Sequence, residues 1–190
     1  MTQLLIGLAG AARSGKTSAA QHLAVLFGFI HYALAQPIKA MLAQGFNLGD
    51  AHLEGALKEQ PLPWLGKAPR ELMQLLGTEF GRGMVHPDLW LLLAAQNLDN
   101  LINCYPGGRG VVISDLRFEN EAAFVRQRGG VVIHILRPDA PGVAAHSSEA
   151  GIGIHDNDLV IHNDGELADF LNHVEQALGM AAERATRAAA

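Results

Sequence analysis

Leu4-Leu-Ile-Gly-Leu-Ala-Gly10-Ala-Ala-Arg-Ser-Gly15-Lys16-Thr17-Ser-Ala-Ala-Gln-His22 decides the fold. The apolar run Leu4–Leu8 reads as a buried strand. It leads straight into Gly10-Ala11-Ala12-Arg13-Ser14-Gly15-Lys16-Thr17, a full match to the G-x-x-x-x-G-K-[ST] phosphate-binding pattern. Ser18–Phe27 reads as the helix that should follow. The two glycines let the backbone turn its N–H groups inward. With the helix N-terminus, those donors form a concave anion site. Lys16 is then placed for the β- and γ-phosphates, and the Thr17 hydroxyl for the shell of a Mg²⁺ ion. A chance Gly-rich turn is the competing reading, and Lys16-Thr17 directly behind an N-terminal strand weighs against it. The expectation is an ATP- or GTP-binding fold with Gly10 to Ser18 around the nucleotide. What receives a phosphoryl group is open at this point.

The bulk composition narrows the class. A chain of 190 residues suits one domain with a sizeable core. Apolar residues at 49% and charged ones at 17% are globular proportions. A net charge of −5 favours neither nucleic acid nor an anionic membrane as partner. The single cysteine, Cys104, excludes an internal disulfide framework and a Cys-rich zinc site, and fits a cytoplasmic location. The N-terminal apolar stretch lacks a basic flank and ends in the phosphate loop, unlike a signal peptide. No apolar run has the length of a membrane helix. The Ala-rich tail, Met180–Ala190, reads as a frayed helix end.

Along the chain, strand and helix signals alternate. Strands are expected at Leu4–Leu8, Phe27–Ala35, Gly110–Ser114, Val131–Leu136 and Leu159–Ile161. Helices are expected at Ile38–Phe46, Pro69–Phe80, Leu89–Asn103, Glu119–Arg128 and Glu166–Ala177. Asn47–Pro63 and Arg137–Asn157 read as irregular. Short apolar strands crossed by helices specify an α/β fold with a five-stranded parallel sheet and helices on both faces. In such sheets ligands gather beyond the carboxyl ends of the strands. The phosphate loop, the Ala35–Lys39 turn, Asp115 and Arg137 all fall at such ends.

Asp115 closes the apolar strand Val111-Val-Ile-Ser-Asp. An acid there suits Mg²⁺, usually through water, although a strand-end Asp can also cap the next turn. Arg117, two residues on, has a planar fork for phosphate, or an ion pair with Glu119 or Glu121. In Pro69–Phe80 the spacing puts Arg70, Gln74 and Gly77 on one helix face. Gln74 could read a base edge, and Arg70 with Arg82 could hold a phosphate. The plain alternative is an amphipathic helix with a solvated face. His155, Asp156, Asp158 and His162 lack a persuasive metal-ligand spacing and read as polar strand and loop residues.

Several blocks together resemble a known family. They are the loop Gly10–Thr17; Leu34-Ala-Gln-Pro-Ile-Lys39; Arg70-x-x-x-Gln74-x-x-Gly77-Thr78-Glu79-x-x-Arg82 with Asp88-x-Trp90; Ser114-Asp115-x-Arg117-Phe118-x-Asn120-Glu121; and His146-x-Ser148-Glu149. Over about residues 3–178 they resemble the deoxynucleoside monophosphate kinases of bacteriophages and their bacterial relatives. The resemblance implies a single P-loop kinase domain of three α/β/α layers. Its core would be residues 1–36 and 108–182, its helical acceptor-binding insert about 37–107, and its lid about 137–157. It also implies phosphoryl transfer from ATP, with Mg²⁺ held by Thr17 and Asp115, to a deoxynucleoside monophosphate.

On this reading Lys39, Arg70, Gln74, Arg82 and Arg117 are acceptor-side residues. Lys16, Arg13, Asp115 and Arg137 form the catalytic set. Residues 138–156 contain no Lys or Arg, so Arg137 and Arg13 are the remaining clamps for transition-state charge. Trp90 and Phe80 are expected in the core of the insert. His146, Ser148 and Glu149 match a family block without a mechanism attached to them. The small-molecule substrate needs no nucleic-acid or membrane partner, and a homodimer is left open. The rivals are a P-loop kinase acting on phosphomevalonate or dephospho-coenzyme A, and a nucleotide-binding switch protein.

Overall fold

Five short apolar runs build one sheet. The computed structural model describes residues 3–105, 107–138 and 151–188. Strands β1 (Leu4–Ala9), β2 (Phe29–Tyr32), β3 (Gly110–Leu116), β4 (Val131–Leu136) and β5 (Leu159–His162) lie in the order β2-β3-β1-β4-β5, each pair parallel. The central strands are buried on both faces, which is why their sequences are continuously apolar rather than alternating. On one face Ile6, Leu8, Val112, Ile133 and Ile135 pack with α1 (Lys16–Phe27) and α7 (Leu167–Ala188). On the other, Gly7 leaves room for α6 (Glu119–Gln127). A β-carbon at position 7 would lie 2.5 Å from Leu116 and 3.0 Å from Val125. The result is a three-layer α/β/α arrangement, as expected.

Residues 1–33 and 94–190 make one compact unit and residues 34–93 a second, the division falling within α5 (Leu89–Cys104). The second unit contains α2 (Gln36–Phe46), the short α3 (Asp50–Leu53) and α4 (Pro69–Gln74). Its core joins Ile38, Leu42, Leu48, Leu53, Leu62, Leu72 and Trp90.

Three local expectations are corrected. The Pro69–Phe80 helix is α-helical only to Gln74. Leu75–Val85 continues as a π-helix, whose i→i+5 bonding is seen where His86 N–H donates to Gly81 O at 3.0 Å. Trp90 lies against this segment. Its Nε1 donates to Gly77 O at 2.7 Å, and a β-carbon on Gly81 would sit 2.5 Å from its ring. Trp90 is buried, as expected. Phe80 is not: on the wider turn it points outward and is 47% exposed. The tail is not frayed up to Ala188. Ala181 is fully buried in the core of the first unit, and Arg184 Nη1 donates to Asn157 O at 2.6 Å. Of the expected lid, residues 139–150, including His146, Ser148 and Glu149, lie outside the described residues.

Candidate active site

The phosphate loop bridges Ala9, the last residue of β1, and Lys16, the first of α1. Gly10 (φ 141°) and Gly15 (φ 110°) adopt conformations that side chains resist, and Arg13 is left-handed at φ 63°. Glycine at 15 is also required by space, because a β-carbon would lie 2.8 Å from Asn163 Nδ2 and 3.1 Å from the Phe170 ring. Lys16 Nζ donates to Gly10 O at 2.7 Å and Ala11 O at 2.6 Å, which folds the ammonium over the loop. Ser14 is fully buried, and its Oγ has no hydrogen-bond partner among the described residues. Thr17 and Ser18 are exposed in the first turn of α1.

Strand register sets Asp115 near the carboxyl end of β3, beside the end of β1 that leads into the loop. Gly7 pairs with Ile113 and Ala9 with Leu116, so β3 carries an extra residue beside Leu8. This bulge contains the half-buried Asp115, and bulges commonly re-aim a side chain at a functional edge. His31 Nε2 and Ser114 Oγ lie 2.7 Å apart next to it. Arg137 follows β4 and is exposed, its Nη1 donating to Arg13 O at 3.3 Å. Loop, Asp115, Arg13 and Arg137 therefore share the carboxyl edge of the sheet in the first unit.

Arg117 follows β3 in the same unit. Its backbone N–H, and that of Phe118, donate to Glu121 Oε2 at 2.6 and 3.1 Å. Glu121 is buried, so its carboxylate serves as the N-terminal cap of α6. The other acceptor-side candidates belong to the second unit. Lys39 pairs with Glu54, Arg70 Nε donates to Glu59 at 2.6 Å, and Arg82 Nη1 donates to Pro87 O at 3.0 Å. Gln74 is half-buried at the last residue of α4, and Arg82 lies beyond the change to π-helix. An unbroken α-helical face from Arg70 to Arg82 does not exist.

Sequence reading missed two features. One is Asn163, the first residue after β5, whose Nδ2 donates to Ser14 O at 2.8 Å. Its place at a strand end was the available signal. The other is an ion cluster on Asp158, whose carboxylate accepts from Arg126 at 2.7 and 3.0 Å and from the His155 N–H at 3.0 Å, and lies 2.9 Å from His134 Nε2. Burial raises the Asp158 pKa, but the Arg126 guanidinium and the other donors outweigh it and bring it to about 2. Arg126 is correspondingly raised. Glu119 pairs with Arg126 at 2.6 Å, and there too the hydrogen bonds overcome burial and lower the pKa. Asp158 is thus committed to a structural ion pair.

A parallel five-stranded sheet with this loop between β1 and α1 defines a P-loop NTPase fold. Solved structures agree on the fold. A dephospho-CoA kinase from Campylobacter jejuni superposes with a TM-score of 0.50 at 15% identity, covering 96% of this chain and 99% of that one. TT1252 from Thermus thermophilus gives 0.51 at 17% identity, covering 95% and 98%. Sequence comparison is more specific. The family model for deoxynucleotide monophosphate kinase matches residues 4–62 and 67–174. A putative deoxynucleotide monophosphate kinase of Acanthamoeba polyphaga mimivirus is 32% identical, covering 90% of this chain and 94% of the relative. The deoxynucleotide monophosphate kinase of Enterobacteria phage T4 is 27% identical over 92% and 98%.

The chain belongs to the deoxynucleotide monophosphate kinase family. It is an enzyme that phosphorylates deoxynucleoside monophosphates, small-molecule nucleotide substrates, from a nucleotide donor. No described helix is long and apolar enough to cross a membrane.

Proposed function

We propose that the donor is ATP with Mg²⁺, bound at residues 10–18, and that the enzyme works in the cytosol without nucleic-acid or membrane partners. The observation that carries this is the loop itself: two positive-φ glycines, the Lys16 ammonium folded over it, and Asp115 delivered by the β3 bulge. The buried Ser14 Oγ, without a partner among the described residues, adds a polar atom within the loop. Thr17 and Asp115 supply the hard oxygen ligands that Mg²⁺ prefers, so the residues fit the ion. When bound, the ion neutralises charge on the β- and γ-phosphate oxygens.

The chain's own residues do the rest. Backbone N–H groups of the loop and Lys16 hold the donor phosphates, and Arg13 and Arg137 oppose charge on the transferred group. Lys39, Arg70, Arg82 and Arg117 bind the acceptor's phosphate, and Gln74 contacts its base. The acceptor phosphate is already ionised near neutral pH, so in-line attack needs no strong general base. Residues 1–36 and 108–182 act as the core, about 37–107 as the acceptor-binding insert and about 137–157 as the lid, which excludes water during transfer.

The test is ADP release with Mg-ATP over four deoxy and four ribo monophosphates, with phosphomevalonate and dephospho-coenzyme A as controls. Deoxy acceptors should be preferred by roughly ten- to two-hundred-fold in kcat/KM, the range available from excluding one hydroxyl. Equal use of ribo acceptors would remove the deoxy-specific pocket. Asp115→Asn should lower kcat and shift the Mg²⁺ titration to higher concentration, since an amide holds metal-bound water less well. An unchanged titration and rate would take the metal role from Asp115.

A further inference from the structure

Asn163 lies outside the motif yet holds its central peptide. Its Nδ2 donates to Ser14 O at 2.8 Å, while its own backbone N–H donates to Leu136 O at 2.8 Å. The second bond fixes Asn163 to the end of β4, so the first ties the phosphate loop to the sheet edge. The Ser14–Gly15 peptide is planar, with C=O and N–H on opposite sides. Drawing the Ser14 carbonyl to Asn163 therefore turns the Gly15 N–H the other way. The neighbouring contacts are consistent with this. Arg137 Nη1 takes Arg13 O at 3.3 Å, and Ser14 N–H donates to Ala11 O at 3.2 Å. Gly15, with φ 110°, is permissive enough for this peptide to rotate. A rotated peptide would present a carbonyl where an anion needs a donor.

We propose that Asn163 is a positioning residue for the donor site: its side-chain N–H holds the Ser14–Gly15 peptide with the Gly15 N–H available to a nucleotide phosphate. The proposal rests on residues 10–17 being the donor site. It requires the hydrogen bond and not merely the volume of residue 163, because the Phe170 ring already supports Gly15 from the same side.

The experiment compares Asn163→Leu, which keeps the branched shape without the donor, with Asn163→Ala and Lys16→Ala. ATP affinity is measured by equilibrium titration calorimetry, together with KM for ATP and for a deoxynucleoside monophosphate, and the melting temperature without nucleotide. Both Asn163 variants should weaken ATP binding about ten- to a hundred-fold, the value of one charge-assisted hydrogen bond. The acceptor KM should stay at the wild-type value. Wild-type ATP affinity in Asn163→Leu overturns the proposal, as does equal loss on donor and acceptor. If melting falls in one variant, the ratio of donor to acceptor KM in the other still decides. Should Lys16→Ala also leave ATP affinity unchanged, the donor-site reading fails with it; should only Lys16→Ala weaken it, Asn163 alone is exonerated.

Discussion

Lys16 and the two arginines of the second unit carry the residue-scale predictions. Lys16→Ala removes an ammonium that the loop holds over its own carbonyls at 2.6–2.7 Å. Preorganised charge at a phosphoryl site contributes ~3–4 kcal/mol, so turnover should fall about a hundred- to a thousand-fold in a protein that melts normally. Near-normal kcat in the folded variant would dismiss Lys16 from the site. Arg70→Ala and Arg82→Ala should raise the acceptor KM about ten-fold or more while leaving the ATP KM alone. Equal effects on both substrates would return these arginines to their ion pair and carbonyl contacts. The loop residues were legible in sequence because phosphate chemistry fixes their spacing within eight consecutive positions. Asn163 and the Arg126–Asp158 pair were not, because their partners lie 149 and 32 residues away. The strand-end position marks where Asn163 sits, but no local pattern encodes which distant residue it meets.

Among the elements, the Leu75–Val85 π-helix most changes the reading. Helical periodicity found a helix but not its width, since α and π turns share composition and differ only in bonding. The widened segment also carries a tertiary contact that no local pattern predicts, Trp90 laid against Gly77 and Gly81. The same widening explains why Phe80 leaves the core that an α-helical projection gave it. Gly81→Ala would place a methyl 2.5 Å from the indole, so it should destabilise by about 1–3 kcal/mol, as overpacking does. Chemical denaturation with an unchanged midpoint would show that the segment yields without cost. The acceptor KM should rise in the same variant, because Gln74 and Arg82 flank the glycines on this element. At α7 the misjudgement was of composition: the Ala-rich tail from Met180 reads as weak, yet the small side chain of Ala181 lets it pack in the core of the first unit.

At the scale of the whole molecule, the parallel sheet and its two helical layers followed from alternating apolar strands and helices, and the strand order placed the loop at the centre. The edge of that sheet is held differently from its middle. β1 and β3 are locked by apolar burial. The β4–β5 edge instead carries Asp158, which joins His134 on β4, Arg126 on α6 and the His155 backbone. Asp158 and His134 are almost wholly buried, and removing one member of a buried pair costs about 3–5 kcal/mol. Asp158→Asn should therefore lower stability by roughly 3 kcal/mol near neutral pH. The pH course distinguishes an ion pair from lost packing. The Asp158 pKa is about 2 when folded against an ordinary 3.8, so its contribution is present above the ordinary value and disappears as pH falls through the folded one. The stability gap between wild type and Asp158→Asn should thus stay constant from pH 6 to about pH 4 and close between about pH 4 and 2. Urea unfolding across that range gives the answer. A gap that persists below pH 2 would mean that the asparagine fails for reasons of shape, and one that closes already at pH 5 would mean that Arg126 does not hold the carboxylate ionised.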